Sequence, residues 1–460
     1  MTATISPPDP LTLPRPPGPS RVAIVYSFLH LAKDPLNFMK TASHGRPLTR
    51  VRIGTERLVF VTDPDLIHEV LVGRASEMFK DMITHKLSET LGNGLLTSEG
   101  AFWRNQRKLM APLFKRKQLL DYAAVMADRT LAVVQTWQDG EVRDLHVEMM
   151  ALTLDIIFRT VFGAEMAPDD AGKMSHAIDM MMNQFERELR TWRRFVPQSW
   201  LKRGRAQAKE ARDVLDSIVY RLIAQKREAG AQDDDLVSRL LAARSDTGEA
   251  MSDLQVRDEA VTMVVAGHET TALVLTFSAM LLSDHPEIAT KLRAEVRQVL
   301  GHRQVTVDDL PNLPYLRAVV NESMRLYPPA YVIGRQVMAP IALGGRLVDT
   351  EDQILIPQWV LHHDARWFEN PLEFHPDRWL DGLEDRLPHH VYMPFGGGPR
   401  VCIGQHFALM EANICLATLV QQVEWAVLPE QSRDLSPAVT LRPRHGMRAK
   451  IRKIAAESAH

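Results

Sequence analysis

Apolar and polar positions change their spacing several times along the chain, and each change predicts a different kind of element. From Leu48 to Thr62 apolar and polar residues alternate on either side of Gly54 and Thr55, which predicts two strands joined by a tight turn. From Phe102 to about Leu300 apolar residues recur every three or four positions, which predicts a long helical region. The stretch Arg257 to Ser283 contains no proline and is apolar on nearly every side, so we expect a helix that is buried all round.

The last third of the chain has mixed patterns. Helical spacing runs from Leu316 to Leu326 and stops before two prolines, because proline disfavours helix in the preceding residue. Short strand-like pieces follow near Val332 to Val337 and Gln353 to Ile356, and a last helix is expected after Cys402. Since no repeat or linker divides residues 21–460, the sequence predicts one large, mainly α-helical domain with minor β structure.

The N-terminal residues differ in composition from the rest of the chain. Seven of the 28 prolines fall between Pro7 and Pro19, so residues 1–20 are predicted to form an extended, disordered arm. The apolar stretch Val22 to Ala32 is shorter than the about 20 residues that a bilayer span needs. We therefore expect no membrane span there, and the arm also lacks the layout of a signal peptide.

Charge and cysteine content exclude further classes of protein. The chain has 55 basic and 57 acidic residues, a balance that does not favour nucleic-acid binding. Its two cysteines, Cys402 and Cys415, cannot form a disulfide framework or a multi-cysteine zinc site. This cysteine usage suits a reducing compartment, and we expect a cytoplasmic monomer.

The segment from Phe395 to Gly404 combines one thiol with unusual backbone freedom. Three successive glycines before Cys402 permit positive φ and close approach of the backbone to a flat ligand. A cysteine just before a helix has its thiolate stabilised by the N–H groups and the dipole of that helix. These conditions favour a charged sulfur ligand. The alternative is a glycine-rich turn before an ordinary buried cysteine, which is our interpretation of Cys415.

This segment resembles the cysteine-loop signature of the cytochrome P450 family. The resemblance implies a P450-like catalytic domain over residues 21–460, with haem b between the long central helix and the cysteine-bearing loop and helix. It implies that Cys402 is the axial thiolate ligand of the haem iron. It also implies that Arg400 pairs with a haem propionate, and that Phe395 and Gly396 belong to the haem-binding loop.

Two further motifs gain meaning from the same resemblance. Glu322 and Arg325 lie on one face of a helix and can pair, although such a pair alone usually contributes little. The segment Phe374 to Trp379 resembles the family segment whose arginine, here Arg378, completes a buried Glu-Arg-Arg cluster. We therefore expect these three residues to have a structural role.

Additional propionate-binding residues are implied upstream and downstream of the central helix. Trp103 and Arg107 lie one helical turn apart, so the indole N–H and the guanidinium can reach one anion. The alternative is a half-buried tryptophan on an amphipathic helix. Arg335 resembles a further propionate-binding arginine of the family, on a less diagnostic spacing.

Residues 266–271 of the central helix resemble the oxygen-activation motif of the family. The small residues Ala266 and Gly267 would leave room for dioxygen and would lie at the haem. The Thr270 hydroxyl would donate to dioxygen and Glu269 would relay protons, which makes these two the expected catalytic residues. The threonine can instead bond its own helix carbonyl, and the acid can be a satisfied core carboxylate.

The resemblance implies a monooxygenase that inserts one oxygen atom from O2 into a hydrophobic small molecule, such as a terpenoid or a fatty acid. An adaptable apolar pocket is suggested by methionines and phenylalanines, although such residues more often form plain core: Met78, Phe79, Met82, Met180, Met181, Met182 and Phe185.

Electrons would come from a ferredoxin or flavodoxin with its reductase, because two cysteines cannot hold an iron-sulfur cluster. In this family the partner docks on the face carrying a basic group, here Lys108, Lys115, Arg116 and Lys117. The alternative for each of these residues is a solvated basic surface.

Two other classes of protein agree with part of the sequence. A haem-thiolate sensor of a gas or small ligand would keep Cys402 but would need neither Glu269 with Thr270 nor the basic group. A helical scaffold without a cofactor agrees with the composition. It would, however, have to treat the cysteine loop and the three upstream motifs as coincidences in the right order.

Overall fold

The protein was analysed as a computed structural model, which describes residues 9–18, 34–43, 45–53, 55–189, 198–230, 235–244, 248 and 250–454. The predicted strand turn at Gly54 and the apolar stretch Val22 to Ala32 lie outside these residues.

The α-helices of the described residues are numbered in chain order. They are α1 (Pro35–Ser43), α2 (Pro64–His68), α3 (Met82–Leu91), α4 (Gly100–Met110), α5 (Arg116–Thr136), α6 (Leu145–Val161), α7 (Pro168–Leu189), α8 (Gln198–Glu228), α9 (Leu236–Ala242), α10 (Asp253–Asp284), α11 (Pro286–Leu300), α12 (Pro314–Leu326), α13 (Gln358–His362), α14 (Leu383–Arg386) and α15 (Gln405–Gln422).

The strands of the described residues are short. They are β1 (Leu48–Ile53), β2 (Glu56–Val61), β3 (Met78–Lys80), β4 (Val142–Asp144), β5 (Ile333–Val337), β6 (Ile341–Leu343), β7 (Arg346–Val348), β8 (Asp352–Ile356), β9 (Val423–Val427), β10 (Leu435–Pro437), β11 (Leu441–Pro443) and β12 (Arg448–Lys453).

One compact unit comprises Met1–Lys86, Ala330–Glu373 and Glu384–Cys402 and is built on a five-stranded sheet. The strand order is β1-β2-β8-β5-β3, in which only the β2–β8 pair is parallel. Val59 and Val61 of β2 and Ile354 of β8 lie in one apolar core with Ile67 and Leu71, which come from the helical segments that follow β2.

The prediction of a disordered arm is wrong for residues 9–18. The Pro14 carbonyl accepts a hydrogen bond from the Leu347 amide, and the Pro17 carbonyl accepts one from the Arg50 amide. Arg15 forms an ion pair with Asp349 at 3.0 Å. Proline has no N–H to donate, but its carbonyl still accepts, so a proline-rich segment can line the edge of a sheet.

The other compact unit comprises Leu87–Pro329, Phe374–Leu383 and Ile403–His460 and is mainly helical. Helix α10 lies at its centre and packs against α6, α8, α12 and α15. Ser252 caps its N-terminus by accepting from the Gln255 amide. A three-stranded sheet of order β4-β12-β9 and the β10–β11 pair complete this unit.

The main predicted elements agree with the structure. The two strands on either side of Gly54 are β1 and β2, and the helix buried all round is α10. This helix is long and apolar enough to cross a membrane, but 83% of its most apolar window is buried within the protein, as in the core helix of a globular domain.

Candidate active site

Helix α10 has one open face in an otherwise buried surface. From Val256 to Leu282 every residue is buried except Ala266, which is exposed, and Gly267 and Thr270, which are half-buried. Ala266 and Thr270 are four residues apart and lie one above the other, with Gly267 beside them. These are the small residues and the threonine that the sequence singled out.

Thr270 and Gly267, the two half-buried residues of this face, both contact neighbouring atoms of the protein. The Thr270 hydroxyl donates to the Ala266 carbonyl at 2.9 Å, which is the helix-internal bond that we considered as an alternative. A Cβ at Gly267 would lie 2.1 Å from Cδ1 of Ile157 on α6, so this glycine also permits close packing of the two helices.

Glu269 points away from the open face and lies in a buried ion pair. Its Oε1 accepts from Arg442 Nε at 2.6 Å and also from the Thr440 hydroxyl. Burial raises the pKa of Glu269, but the charge and the hydrogen bond of Arg442 outweigh this effect and hold the pKa below its usual value. The carboxylate is therefore anionic at neutral pH.

Arg442 and Thr440 were not identified from the sequence. Arg442 belongs to β11, and its guanidinium also approaches Asp179 of α7 at 3.6 Å. The alternation of Leu441, Arg442 and Pro443 indicates a strand but not its partner, which lies 173 positions earlier in the chain. Only an alignment of many sequences that showed the two positions changing together would have revealed the pair.

Glu322, Arg325 and Arg378 meet in one buried cluster within the helical unit. Glu322 Oε2 accepts from Arg325 Nε at 2.8 Å, and Oε1 accepts from Arg378 Nε at 3.0 Å. The Trp379 indole and the His375 amide also donate to this carboxylate, at 2.8 Å and 3.0 Å. A second guanidinium nitrogen of Arg325, Nη2, donates to Oε1 at 2.8 Å. The completely buried carboxylate of Glu322 therefore accepts five hydrogen bonds.

The cysteine loop of the sheet-containing unit is a tightly closed turn. The Cys402 amide donates to the Phe395 carbonyl at 3.0 Å, and residues Gly398–Arg400 form one helical turn between them. Gly398 has a φ of +67°, and a Cβ there would lie 1.9 Å from the Leu71 carbonyl oxygen. Gly396 also has positive φ, at 78°. The glycines are therefore required by the backbone of this turn.

The two cysteines have opposite environments. Cys402 is exposed at the end of the glycine loop, three residues before α15 begins. Cys415 is buried within α15, where the Thr130 hydroxyl donates to its sulfur at 3.1 Å. Burial and the neighbouring Glu411 raise the pKa of the Cys415 thiol far above its usual range. Cys415 is therefore an inert core thiol, whereas Cys402 is accessible to a ligand.

The candidate propionate-binding residues fall in both units. On α4, Trp103 is buried and the Arg107 guanidinium lies 5.9 Å from the centre of its ring. In the other unit, Arg335 of β5 is buried and donates to the Gly334 carbonyl at 2.7 Å, while Arg400 is half-buried in the cysteine loop.

The residues expected to contact a partner or a substrate differ in exposure. Lys108, Lys115 and Lys117 are exposed, and the side chain of Arg116 lies outside the described part. Met181, Met182 and Phe185 of α7 are buried, as is Met78, whereas Phe79 and Met82 are exposed. Met180 is half-buried.

Comparison with known proteins gives a consistent result. The family model for cytochrome P450 matches residues 16–448. The chain is 32% identical to cyclooctatin synthase of Streptomyces melanosporofaciens, over 94% of this chain and 92% of that protein. It is 31% identical to pentalenene oxygenase of Streptomyces avermitilis, over 95% of this chain and 96% of that protein. It is also 31% identical to a cytokinin hydroxylase of Arabidopsis thaliana, over 87% of this chain and 80% of that protein.

Proposed function

This chain belongs to the cytochrome P450 family and is a monooxygenase, and on that premise we propose that it hydroxylates a terpenoid. Two of the similar proteins are named for cyclooctatin and pentalenene, which are terpenoids. The observation that carries the proposal is the open face of α10, where an otherwise buried helix presents Ala266, Gly267 and Thr270. This face offers small and apolar surface with a single hydroxyl, which suits an apolar substrate.

Haem is the cofactor of the family, and we propose haem b held by Cys402 as its thiolate ligand. The donor set fits this group, because Cys402 is the exposed one of two cysteines and follows a turn in which Gly396 and Gly398 adopt positive φ. When bound, haem supplies the iron at which dioxygen is activated. Arg400, Arg107 and Arg335 would pair with the propionates, with Trp103 as a further donor.

Thr270 and Glu269 would divide the handling of protons. The Thr270 hydroxyl, which now donates to the Ala266 carbonyl, can turn to donate toward the open face without leaving an N–H unpaired. Glu269 holds its charge against Arg442, so it would have to exchange this partner before passing a proton toward Thr270. Glu322, Arg325 and Arg378 keep a structural role, since they are fully engaged with one another.

We also propose a cytoplasmic, monomeric enzyme that receives electrons from a ferredoxin or flavodoxin and its reductase. Support for the partner comes from the exposed lysines Lys108, Lys115 and Lys117, which offer a positive surface to an acidic protein.

The cofactor assignment is tested by the Soret spectrum of the dithionite-reduced protein with carbon monoxide, in the wild type and in Cys402→Ser. A strongly red-shifted band that the substitution abolishes would establish thiolate ligation by Cys402. The same band in both proteins, or no haem band after expression with added haem precursor, would contradict it. Cys415→Ser is the matched control and should leave the band unchanged, because that sulfur is buried and hydrogen-bonded.

The reaction class is tested by product analysis with a surrogate ferredoxin and reductase. Oxygenated product from a sesquiterpene or diterpene hydrocarbon supports the proposal. Haem binding without oxygenation of any terpenoid or fatty acid would favour the sensor interpretation instead.

A further inference from the structure

His390 has an unusual backbone conformation shortly before the cysteine loop. Its φ is +69°, and among the described residues other than glycine only Asn370 also has a positive φ. Such a conformation is uncommon for a residue with a side chain and persists where the surroundings hold it. The contacts of the His390 ring show what these surroundings are.

The imidazole of His390 contacts both α2 and the cysteine loop. Its ring centre lies 5.2 Å from that of His68, the last residue of α2, and the two ring planes are perpendicular. Aromatic rings favour this edge-to-face arrangement. A Cβ added to Gly397 would lie 3.2 Å from both Cδ2 and Nε2 of His390. The φ of Gly397 is −154°, extended backbone that any residue adopts. The space taken by neighbouring side chains, and not its conformation, therefore favours glycine there.

Gly397 belongs to the closed turn that positions Cys402. The Gly396 amide donates to the Met393 carbonyl at 2.9 Å, and the Cys402 amide donates to the Phe395 carbonyl at 3.0 Å. These two hydrogen bonds join both ends of the turn to its own backbone. A displacement of Gly397 therefore changes the position of Cys402.

The ring of His390 is neutral at neutral pH. Burial lowers the pKa of His390, and the charges of His68 and His389 lower it further, whereas the nearby backbone of His389 opposes these effects only in part. The Nδ1 atom of His390 is buried and makes no hydrogen bond to the described residues. Because both ring nitrogens of a protonated histidine carry hydrogen, the Nδ1–H of the cation would have no acceptor in this place.

The other charged groups beside this contact are a paired acid and a base. The helical turn Glu69–Gly73, which packs against the cysteine loop, carries Glu69, and its carboxylate accepts from Arg74 Nε at 2.7 Å. The cysteine loop itself carries Arg400, which is positive. Below the ordinary histidine pKa of about 6.5, His390 therefore binds a proton more readily once its ring has left Gly397. Acid thus favours release of the ring.

We propose that His390 is a positioning residue for Cys402: its neutral ring holds the glycine turn in place, and a proton on this ring releases the turn, so that acid weakens thiolate ligation of the haem iron. The inference rests on the proposed haem site and adds a titrating group that controls how this site responds to pH. The thiolate takes up one proton when it leaves the iron, and His390 takes up a second.

The first measurement is made on the wild-type protein with haem bound. Exchange of the imidazole C2 hydrogen at a series of pH values, followed by mass spectrometry with fragmentation to separate His390 from His389, gives the pKa of His390. We expect it to lie below about 6.5. A His390 that titrates at or above this value would not be held neutral, and the proposal would be wrong.

The second measurement is the carbon monoxide spectrum of the reduced protein between about pH 7 and pH 5, in the wild type and in His390→Phe. Phenylalanine keeps an aromatic ring beside Gly397 but cannot take up a proton. Below about pH 6.5 the ratio of the thiolate band to the unligated form should fall by about a hundredfold per pH unit in the wild type, and by about tenfold in His390→Phe. An unchanged pH profile in His390→Phe would overturn the proposal.

The matched control is His302→Phe, the same substitution at an exposed histidine of the helical unit, which should follow the wild-type profile. A profile altered as much as in His390→Phe would contradict a role specific to His390.

A second variant separates the ring from its charge. Asparagine tolerates positive φ but supplies neither an aromatic ring nor a titrating group, so His390→Asn should lose part of the thiolate band already at pH 7. A full band at this pH would show that the ring does not hold the turn. A wild type without a red-shifted band at any pH would contradict the proposed haem site, whereas a band with equal profiles in wild type and His390→Phe would overturn this inference alone.

Discussion

Glu322 and Glu411 are both completely buried in the helical unit, yet their surroundings are opposite. Glu322 of α12 is surrounded by hydrogen-bond donors, namely Arg325, Arg378, Trp379 and the His375 amide. Glu411 of α15 has no hydrogen-bond partner for either oxygen among the described residues. The Thr271 hydroxyl lies beside it on α10, outside hydrogen-bond geometry.

The difference teaches that donors, and not burial alone, decide the charge of a buried acid. Two guanidinium groups compensate the charge of Glu322. Burial raises the pKa of Glu411 to about 8, and the nearby Thr271 hydroxyl opposes this only weakly, so Glu411 keeps its proton at neutral pH. Glu269 lies between these extremes, because one guanidinium holds it anionic.

Removing Glu322, the buried acid with the most hydrogen-bond donors, should have the largest effect on the free energy of unfolding. Glu322→Ala leaves the buried guanidinium of Arg325 without its partner, so we expect the free energy of unfolding to fall by about 3 to 5 kcal/mol. Urea unfolding and haem retention would measure this loss. The control is Asp213→Ala, which breaks the exposed pair with Lys209 and should cost about 0.5 kcal/mol or less. Equal losses in the two variants would show that the cluster is not an energetic unit.

Breaking the ion pair between Glu269 and Arg442 should lower the free energy of unfolding by a smaller amount, and this amount should depend on pH. Arg442→Gln leaves Glu269 buried without a cation, so its pKa should rise above the usual value and protonation should limit the cost to about 2 to 3 kcal/mol. The wild type gains stability from this pair above the ordinary carboxyl pKa and loses it as the pH falls. The variant should lose stability as the pH rises.

Urea unfolding at about pH 5 and about pH 8 would measure this effect, and the difference between the two proteins should be larger at the higher pH. Arg433→Gln is the control, because it breaks a partly exposed pair with Asp284 in the same unit. A difference between wild type and Arg442→Gln that does not change with pH would contradict the assigned charge of Glu269.

Neutralising the acid without donors should stabilise the protein at alkaline pH. The folded-state pKa of Glu411 is raised, so the wild type should lose stability as the pH rises from about 4.5 through about 8. Glu411→Gln removes this loss, and we expect it to be more stable than the wild type by on the order of 2 kcal/mol at about pH 9.

Thermal unfolding at about pH 6 and about pH 9 would measure the effect of Glu411→Gln. The control is Glu287→Gln, at an exposed carboxylate of α11, which should leave the pH dependence of stability unchanged. A wild type whose stability stays constant over this range would rule out a protonated Glu411.

The smallest effect on stability is expected on the open face of α10. Thr270→Ala removes one hydrogen bond to the Ala266 carbonyl and should change the free energy of unfolding by about 0.5 kcal/mol or less. We expect it to keep haem and substrate binding but to divert electrons to hydrogen peroxide.

The ratio of product formed to electrons consumed would measure this coupling. Thr276→Ala is the matched control, because Thr276 makes the same bond to the carbonyl four residues earlier but lies at a buried position of the same helix. Unchanged coupling in Thr270→Ala would refute its role, and equal loss in both variants would point to the helix and not to the hydroxyl.

The spacing of apolar residues predicted those helices and strands whose own residues show a regular pattern of burial. It gave β1, β2, α10 and α12 with bounds close to those observed, because alternating or three-to-four spacing directly reflects burial on one or all sides. It did not predict the short strand β4, whose pairing with β12 depends on residues about 300 positions away. The ordered arm was missed for the same reason, since the acceptors Pro14 and Pro17 reveal nothing about their donors.

The residues of the candidate site also fall into two groups, those that the sequence identified and those that it did not. The cysteine loop, the small residues and threonine of α10, and the Glu322–Arg325 pair were found from motifs, because the residues of each are adjacent or one turn apart. Arg378 lies 56 positions from Glu322 and was joined to this pair only by the resemblance to the family. Arg442 and Thr440 were not found. Their contacts join segments that are distant in sequence, and each residue taken alone resembles an ordinary charged or polar position.

The contrast between the two sulfurs makes this protein a direct reporter of its own cofactor content. Cys415 is shielded in the core, so a maleimide added to the folded chain should modify Cys402 alone. If Cys402 binds haem iron, its sulfur is blocked in every loaded molecule. The labelled fraction, counted by intact mass, would then equal the fraction of apoprotein in any preparation.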